Sequence, residues 1–397
     1  MKVLLVHNRY RFRGGEDAVV ENTLRLLEEH GVKARLFDKA SVEIPAGLLG
    51  KTRAVFSGIW SRAAAAEMGA LIAEFRPDVV HAHNLYPLLS PSVLAAARRA
   101  GVPVVMTCHN YRLVCPIGVH FVRGAICERC AGGREYWCLL RNCRENRFES
   151  AAYALRNTAT RVSGLFRRNV TVYIAISEFV KRRLVAAGCP EDRIEVLYNM
   201  IPRPDTPADA GAGRYVAFTG RLSAEKGVET LLQAAARLPE IPVKIGGVGP
   251  LEDALKQDAP PNVVFTGAFD MAGLAEFYRN AAFVVVPSVW HEAFGLVAAE
   301  AMSHGIPVIA ARNGALPELV EEDTAGLLFV PGDAADLADK MRLLWEAPER
   351  RQALGLAARE RADRLFSAEA HFGRLTAIYE RATVLFRNNV AGQVFQA

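Results

Sequence analysis

What most limits the fold of this chain is a rhythm. Short runs of β-branched and aliphatic residues alternate with longer Ala- and Leu-rich stretches of helical period, the sequence form of a parallel α/β sheet. The runs at Val3–Val6, Val32–Phe37, Val79–His81, Val104–Met106 and Val172–Ile176 read as strands. Helical patterns fall between them, such as Ala18–His30, which stops at Gly31, a residue suited to the left-handed C-cap position. From Asn199 to Gly213 three prolines, two aspartates and two glycines break the rhythm, and the segment reads as a linker. The rhythm then restarts at Tyr215–Phe218, Val243–Ile245, Val263–Phe265, Phe283–Val286 and Val308–Ala310. Two successive doubly wound domains are expected: residues 1–200, a linker at 201–213, a second domain at 214–367, and a terminal segment at 368–397. In such sheets ligands bind beyond the carboxyl ends of the strands, so two facing domains would hold a ligand in the cleft between them.

Composition narrows the classes further. Of 397 residues 51% are hydrophobic and 23% charged, which excludes a disordered chain and supplies two cores. No apolar run reaches the roughly 18–20 residues needed to span a bilayer. The opening Met1–His7 is too short an apolar stretch for a signal peptide and reads as a buried strand, so a cytoplasmic protein is expected. Charge is divided unevenly: residues 1–200 carry 29 Lys and Arg against 18 Asp and Glu, whereas residues 201–397 carry 19 against 25. The basic half favours an anionic partner, or is simply a basic surface. Nucleic acid is not expected, because the basic residues form no recognisable nucleic-acid motif or aromatic stacking platform.

Three segments carry chemistry. Arg13-Gly14-Gly15-Glu16-Asp17 follows the first strand and opens the first helix, where glycines let backbone N–H groups approach a phosphate or a sugar; a plain turn explains it equally well. Gly220-Arg221-Leu222-Ser223-Ala224-Glu225-Lys226-Gly227 occupies the same place in the second domain. Its two cations beside a helix start suit a diphosphate, which needs fixed charge and helix-end amides together. The segment Pro287–Met302 then sets Glu300 inside an apolar, small-residue helix and Glu292 in the loop before it. A carboxylate buried there requires donors, and sugar or ribose hydroxyls would provide them. The axial offset of the two carboxylates, about 7.5 Å or more at ~1.5 Å per residue, disfavours a retaining hydrolase pair and leaves the inverting spacing open.

Glu292 and Glu300 with seven residues between them, the Gly-Arg-Leu-Ser-x-Glu-Lys-Gly loop, Gly246-Gly247-Val248-Gly249-Pro250 and the early Gly-Gly-Glu-Asp together resemble the retaining glycosyltransferases of family 4, also called group 1. The likeness runs from Met1 to about Tyr379. It implies a GT-B fold, two facing Rossmann-like doubly wound domains with an interdomain cleft, whose last helix crosses back toward the first domain. It implies a UDP- or GDP-sugar donor, no catalytic metal, and transfer to a glycan or lipid-linked acceptor in cell-surface polysaccharide or glycolipid synthesis. By the same resemblance Glu300 binds the ribose, Glu292 lies near the donor sugar, and Arg221 and Lys226 hold the diphosphate. Phe294, Gly295 and Leu296 offer backbone amides to the donor, Gly15 lies in the first-domain loop on the donor, and His109 reaches the transferred sugar. The His81-Ala82-His83-Asn84 strand end could line the acceptor side or be structural. Two departures, Asn199-Met200-Ile201-Pro202 without the usual Asp and Ala293 after Glu292, bear on which sugar is used. Another activity on the same fold, epimerase-like or simple nucleotide-sugar binding, is the alternative.

Five of seven cysteines, Cys115, Cys127, Cys130, Cys138 and Cys143, crowd an insertion at about 112–147. The Cys127-Glu-Arg-Cys130 spacing suits a metal; reduced, partly buried thiols are the other reading. The resemblance points to Cys115, Cys127, Cys130 and Cys143 as ligands of one structural zinc. Finally, Arg141–Arg168 holds seven Arg and two Glu among apolar residues, which suits a basic amphipathic helix resting on an anionic membrane surface, or a solvated face.

Overall fold

A computed structural model describes residues 1–10, 14–41 and 57–394, with side chains through Asn388. Arg13 of the first glycine loop lies outside the described residues. The chain divides into two compact units: Met1–His120, Cys127–Tyr198 and His371–Ala397 form the first, and Asn199–Ala370 with Phe121–Ile126 the second.

The first unit is built on a six-stranded sheet of β1 (Lys2–Arg9), β2 (Lys33–Ala40), β3 (Val79–Ala82), β4 (Val104–Cys108), β7 (Val172–Ala175) and β8 (Ile194–Val196). Between β4 and β7 lies a two-stranded hairpin, β5 (Phe121–Val122) and β6 (Ala125–Ile126). The sheet order is β2-β1-β3-β4-β7-β8 and every pairing is parallel. Strands β3, β4 and β7 are buried at every position, which is why they read as unbroken apolar runs; the edge strand β2 is half-exposed along its length. The order reverses between β1 and β3, and that reversal opens a crevice at the strands' carboxyl ends.

The second unit repeats the scheme with β9 (Tyr215–Thr219), β10 (Val243–Gly246), β11 (Val263–Gly267), β12 (Ala281–Val286), β13 (Val308–Ala311) and β14 (Gly326–Phe329). Its order, β11-β10-β9-β12-β13-β14, places the reversal between β9 and β12.

The last helix, Ala368–Val394, belongs almost wholly to the first unit. Leu375, Ile378, Tyr379 and Ala382 pack into the core formed by Val3, Leu5, Val79, Val105, Val172 and Ile174. The Tyr379 hydroxyl also meets His81 Nδ1 at 2.8 Å, and His81 Nε2 meets Thr107 Oγ1 at 2.7 Å, so both ring nitrogens of this buried histidine are satisfied. His81 is therefore a structural residue.

The proline-rich segment 201–213 is tied down along its length. Arg351 donates to the Ala210 and Gly211 carbonyls, Arg359 donates to that of Pro204, and the Ala208 amide donates to His304 O. The segment is part of the second unit rather than a free tether. The basic stretch Arg141–Arg168 also differs from one continuous helix. Asn146 caps a new helix, Arg147–Val162, by accepting from the Glu149 amide, and Gly164, at φ 64°, ends that run before Leu165–Asn169. No helix among the described residues is long and apolar enough to cross a membrane.

Candidate functional site

In the second unit the loops after β9 and β12 meet at the point where the strand order reverses. Gly227 makes that approach possible, and Gly247 brings the loop after β10 against the loop after β9. Gly227 adopts φ 67°, and a Cβ there would stand 2.0 Å from the Pro287 carbonyl oxygen. Gly247, at φ 124°, would carry a Cβ 1.8 Å from Gly220 O. With the backbones this close, Lys226 Nζ reaches Glu292 Oε1 at 2.7 Å, and Ser288 Oγ donates to the same oxygen at 2.7 Å. The Glu292 loop is held in turn by the Ala315 amide, which donates to Glu292 O, and by a 2.6 Å contact of His291 Nδ1 with Asn313 Oδ1.

Glu292 is only 6% exposed. Burial by itself would raise its pKa, but the Lys226 charge and hydrogen bonds from Lys226 and Ser288 hold the carboxyl below its ordinary value. It is an ionised group at neutral pH. Arg221, two turns of chain away, is exposed and has no side-chain partner among the described residues. Two helices start beside these groups: Val228–Ala235 from Gly227 and Leu296–Ser303 from Gly295, neither with a side-chain cap. Their first amides are left free to bind, as the N-terminal N–H groups of any helix must find partners. Phe294, by contrast, turns its ring into the core against Phe366.

Glu300 is the opposite kind of carboxylate. It is half-buried in the helix Leu296–Ser303, flanked by fully buried Ala298, Ala299 and Ala301. Its single hydrogen-bond donor among the described residues is Tyr278 Oη, at a long 3.4 Å, and that hydroxyl is already shared with Thr219 Oγ1 at 2.8 Å. Burial pushes its pKa up to about 7, with the tyrosine opposing. An under-supplied acceptor of this kind is suited to a ligand bearing adjacent hydroxyls.

The crevice of the first unit forms an open pocket at the ends of β1, β3 and β4, lined in part by Glu16, His83, Asn84, His109, Asn110 and Arg112. His109 Nε2 lies 2.9 Å from His83 Nδ1 with the rings stacked. Burial lowers the pKa of both, that of His109 to about 4, with Glu16 opposing the fall at His109. His109 is therefore neutral at physiological pH, a hydrogen-bonding group rather than a charge. Gly15 opens the helix Gly15–Glu29 and is exposed, but its neighbours are acidic. Asp17 is buried between the Gly14 amide and His7 Nε2, each at 2.9 Å. With Glu16 and Asp17 in its first turn, this helix start suits hydroxyls better than phosphate.

Burial, and after it the nearby Cys115, Cys143 and Cys127, push the Cys130 thiol pKa up to about 12, so the four cysteines named for zinc lie near one another. All seven cysteines are free thiols, and no group of three or more His, Cys, Asp or Glu side chains among the described residues is arranged to hold a metal ion. Cys130 and Cys138 are instead buried with Ala154, packed by Ile117, Trp137, Cys143 and Tyr153, and Cys138 shares a hydrogen bond with Cys143. The insertion uses its thiols as small apolar side chains, a common use of buried cysteine.

Several groups escaped the reading of the sequence. Ser288, Tyr278 and Thr219 carry no motif, and only tertiary packing brings them to the two glutamates. Glu16 and Arg112 were visible as charges, but nothing in their spacing of nearly a hundred residues says that they line one pocket.

The model for the family described as "Glycosyl transferases group 1" matches residues 207–361, and that for "Glycosyltransferase Family 4" matches residues 13–203. The chain is 30% identical to sulfoquinovosyl transferase SQD2 of Arabidopsis thaliana over 299 residues, 74% of this chain and 54% of that protein. It is 30% identical to the D-inositol 3-phosphate glycosyltransferase of Pseudarthrobacter chlorophenolicus over 301 residues, 72% of this chain and 67% of that one. The chain thus spans only about half the length of some of the curated relatives it matches. Among solved structures, Anabaena Alr3699/HepE in complex with UDP and glucose superposes with a TM-score of 0.66 at 20% identity, covering 95% of this chain and 98% of that one. Sucrose-phosphate synthase of Thermosynechococcus elongatus gives 0.68 at 19% identity, covering 98% and 99%. These likenesses establish a GT-B architecture.

The raised pKa of Glu300 has a consequence for stability. Its folded value, about 7, lies above the ordinary 4.5, so the folded state holds its proton more tightly than the unfolded chain. The resulting stability is complete below about pH 4.5 and is lost as pH rises through 7. Relative to Glu300→Gln, the ligand-free wild type is expected to lose melting temperature steadily from pH 5 to pH 8; a constant difference across that range would contradict the assignment.

Proposed function

The chain belongs to the group 1 glycosyltransferases of family 4, and from that premise we propose that it transfers a sugar, with retention, from a nucleoside-diphosphate sugar to a glycan or lipid-linked acceptor. The observation that carries this reading is the Lys226–Glu292 pair beside exposed Arg221 and two uncapped helix starts. When the sugar leaves, negative charge grows on the diphosphate. Arg221, Lys226 and the first amides of helices Val228–Ala235 and Leu296–Ser303 would stabilise that charge where it forms. These groups supply the charge that a divalent ion provides in other transferases, so transfer is expected without one. Glu300 would accept the two ribose hydroxyls; the amides of Gly295 and Leu296 would meet the donor; His109, neutral, would hydrogen-bond the transferred sugar. UDP and glucose bound by Alr3699/HepE favour a UDP-sugar among the possible donors.

A membrane-held acceptor, as in cell-surface polysaccharide, lipopolysaccharide or glycolipid synthesis, is supported by one helix. Phe148, Leu155 and Val162 in Arg147–Val162 are 48, 54 and 71% exposed, and spacings of seven put them on one stripe. Arg144, Arg147, Arg161, Arg167 and Arg168 are exposed on or beside that helix. Apolar side chains among arginines suit the surface of an anionic bilayer, and we place the enzyme peripherally on the inner face of the membrane.

A thermal-shift panel of nucleotide sugars should identify the donor, and transfer should then fall about 100-fold in both Lys226→Ala and Glu292→Gln, the loss typical of one preorganised electrostatic contact. Donor binding without any turnover would leave a binding protein instead, and wild-type turnover in Lys226→Ala would overturn the leaving-group assignment. In liposome co-sedimentation, binding should require anionic lipid and should weaken at least several-fold in a Phe148→Ser, Leu155→Ser double variant; equal binding to neutral vesicles would refute the membrane placement.

A further inference from the structure

Arg112 lines the pocket of the first unit and Arg156 is buried near it, and neither has a carboxylate partner within ion-pair distance among the described residues. Arg112 is half-buried; its Nη1 donates to Asn84 Oδ1 at 3.1 Å, and its guanidinium lies 5.3 Å from the Tyr10 ring. Arg156 is 6% exposed, sandwiched against the Tyr86 and Tyr153 rings at 4.0 and 4.6 Å, with Nη2 donating to Pro116 O. Among the described residues neither has an acidic oxygen within ion-pair distance. A neighbouring carboxylate, Glu16, faces the same pocket, but its oxygens are occupied by Tyr10 Oη and Asn110 Nδ2, each at 2.7 Å.

The placement of Arg112 is built. Asn157 Nδ2 donates to the Arg112 carbonyl at 2.6 Å, and the Arg112 amide donates to Asn110 Oδ1 at 3.0 Å. Gly118 packs so closely on its side chain that a Cβ would stand 2.7 Å from Arg112 Cγ. Holding an unpaired guanidinium away from bulk water is costly unless an anion joins it. A guanidinium with one N–H bonded to an amide still offers several donors in a planar fork, the geometry that grips a carboxylate or a phosphate.

We propose that this pocket binds the acceptor through an anionic group, a phosphate or a carboxylate, gripped by Arg112. The inference rests on the reading of the first unit as the acceptor side and names the acceptor's chemistry. Glu16 tunes the site: its charge opposes the anion, so only a strongly anionic group with a matching fork is retained, and neutral sugars gain nothing from Arg112.

Binding of glucose, glucose 6-phosphate and glucuronate to the full chain, measured by calorimetry, tests this with a separate arm for each anion. At least one charged sugar should bind tenfold or more tightly than glucose. Arg112→Met should abolish that preference, and Arg112→Lys, which keeps the charge and loses the fork, should weaken it several-fold. Glu16→Gln should strengthen it, an effect opposite in sign to general damage of the pocket and readable even if Arg112→Met fails to fold. Arg221→Ala should leave the preference intact. Equal binding of all three sugars, a preference that survives Arg112→Met, weakening in Glu16→Gln, or loss of the preference in Arg221→Ala would overturn the proposal. None of these titrations needs a donor, so a failure to bind UDP would count against the transferase reading alone.

Discussion

The ion pair between Lys226 and Glu292 is the contact on which the second unit's chemistry turns. It joins the loops after β9 and β12, the two strands that flank the reversal in sheet order. Only the absence of a side chain at Gly227 lets the Pro287 backbone come near enough for the pair to form. The pair in turn keeps a buried carboxylate ionised and holds a cation in place beside two uncapped helix starts. The resemblance implies separate duties for these residues, a diphosphate for Lys226 and the sugar for Glu292. If Lys226 holds a diphosphate as proposed, their contact means that the diphosphate would share Lys226 with Glu292. The cation would then be prepositioned and partly neutralised before a donor arrives, whereas Arg221 is exposed to solvent.

The first unit works by different means. Its pocket histidines His83 and His109 are neutral, its glycine loop is acidic, and its pocket charge comes from arginines set into aromatic surroundings. One helix serves both of its proposed surfaces. Arg156 and Asn157 on the inner side of Arg147–Val162 support the loop that carries Arg112, while Phe148, Leu155 and Val162 face outward. An acceptor anchored in a bilayer and bearing an anionic group would meet both sides of the same element. On the proposed reading the two halves of the charge imbalance have distinct roles: local cations in an acidic unit would serve the donor, and a broadly basic unit would serve the acceptor.

The doubly wound architecture was legible because buried parallel strands need unbroken apolar runs, and Val3–Val6 or Phe283–Val286 can hardly be anything else. The three-residue strand Ile194–Val196 was not, since so short an edge strand is fixed by its neighbour Val172–Ala175 rather than by its own pattern. Glu292, Glu300, Arg221 and Lys226 stand out by motif and resemblance, and the contact of Lys226 with Glu292 at the reversal between β9 and β12 follows from the topology. The donors around the glutamates and the pairing of Glu16 with Asn110 were invisible, because each depends on residues brought together from distant parts of the chain. The cysteine spacing was legible only in part: two thiols three residues apart suit a metal, and the apolar packing around Cys130 and Cys138 depends on distant residues.

A double-mutant cycle on UDP affinity tests whether Lys226 is shared between carboxylate and diphosphate. Lys226→Met should weaken UDP binding at least tenfold. Glu292→Gln should tighten it, by removing both a competitor for Lys226 and a like charge, and that gain should shrink in the Lys226→Met background, where only the like charge is left to remove. Should Glu292→Gln weaken UDP as much as Lys226→Met, with the two losses simply additive, Lys226 would not be a cation contested between carboxylate and diphosphate.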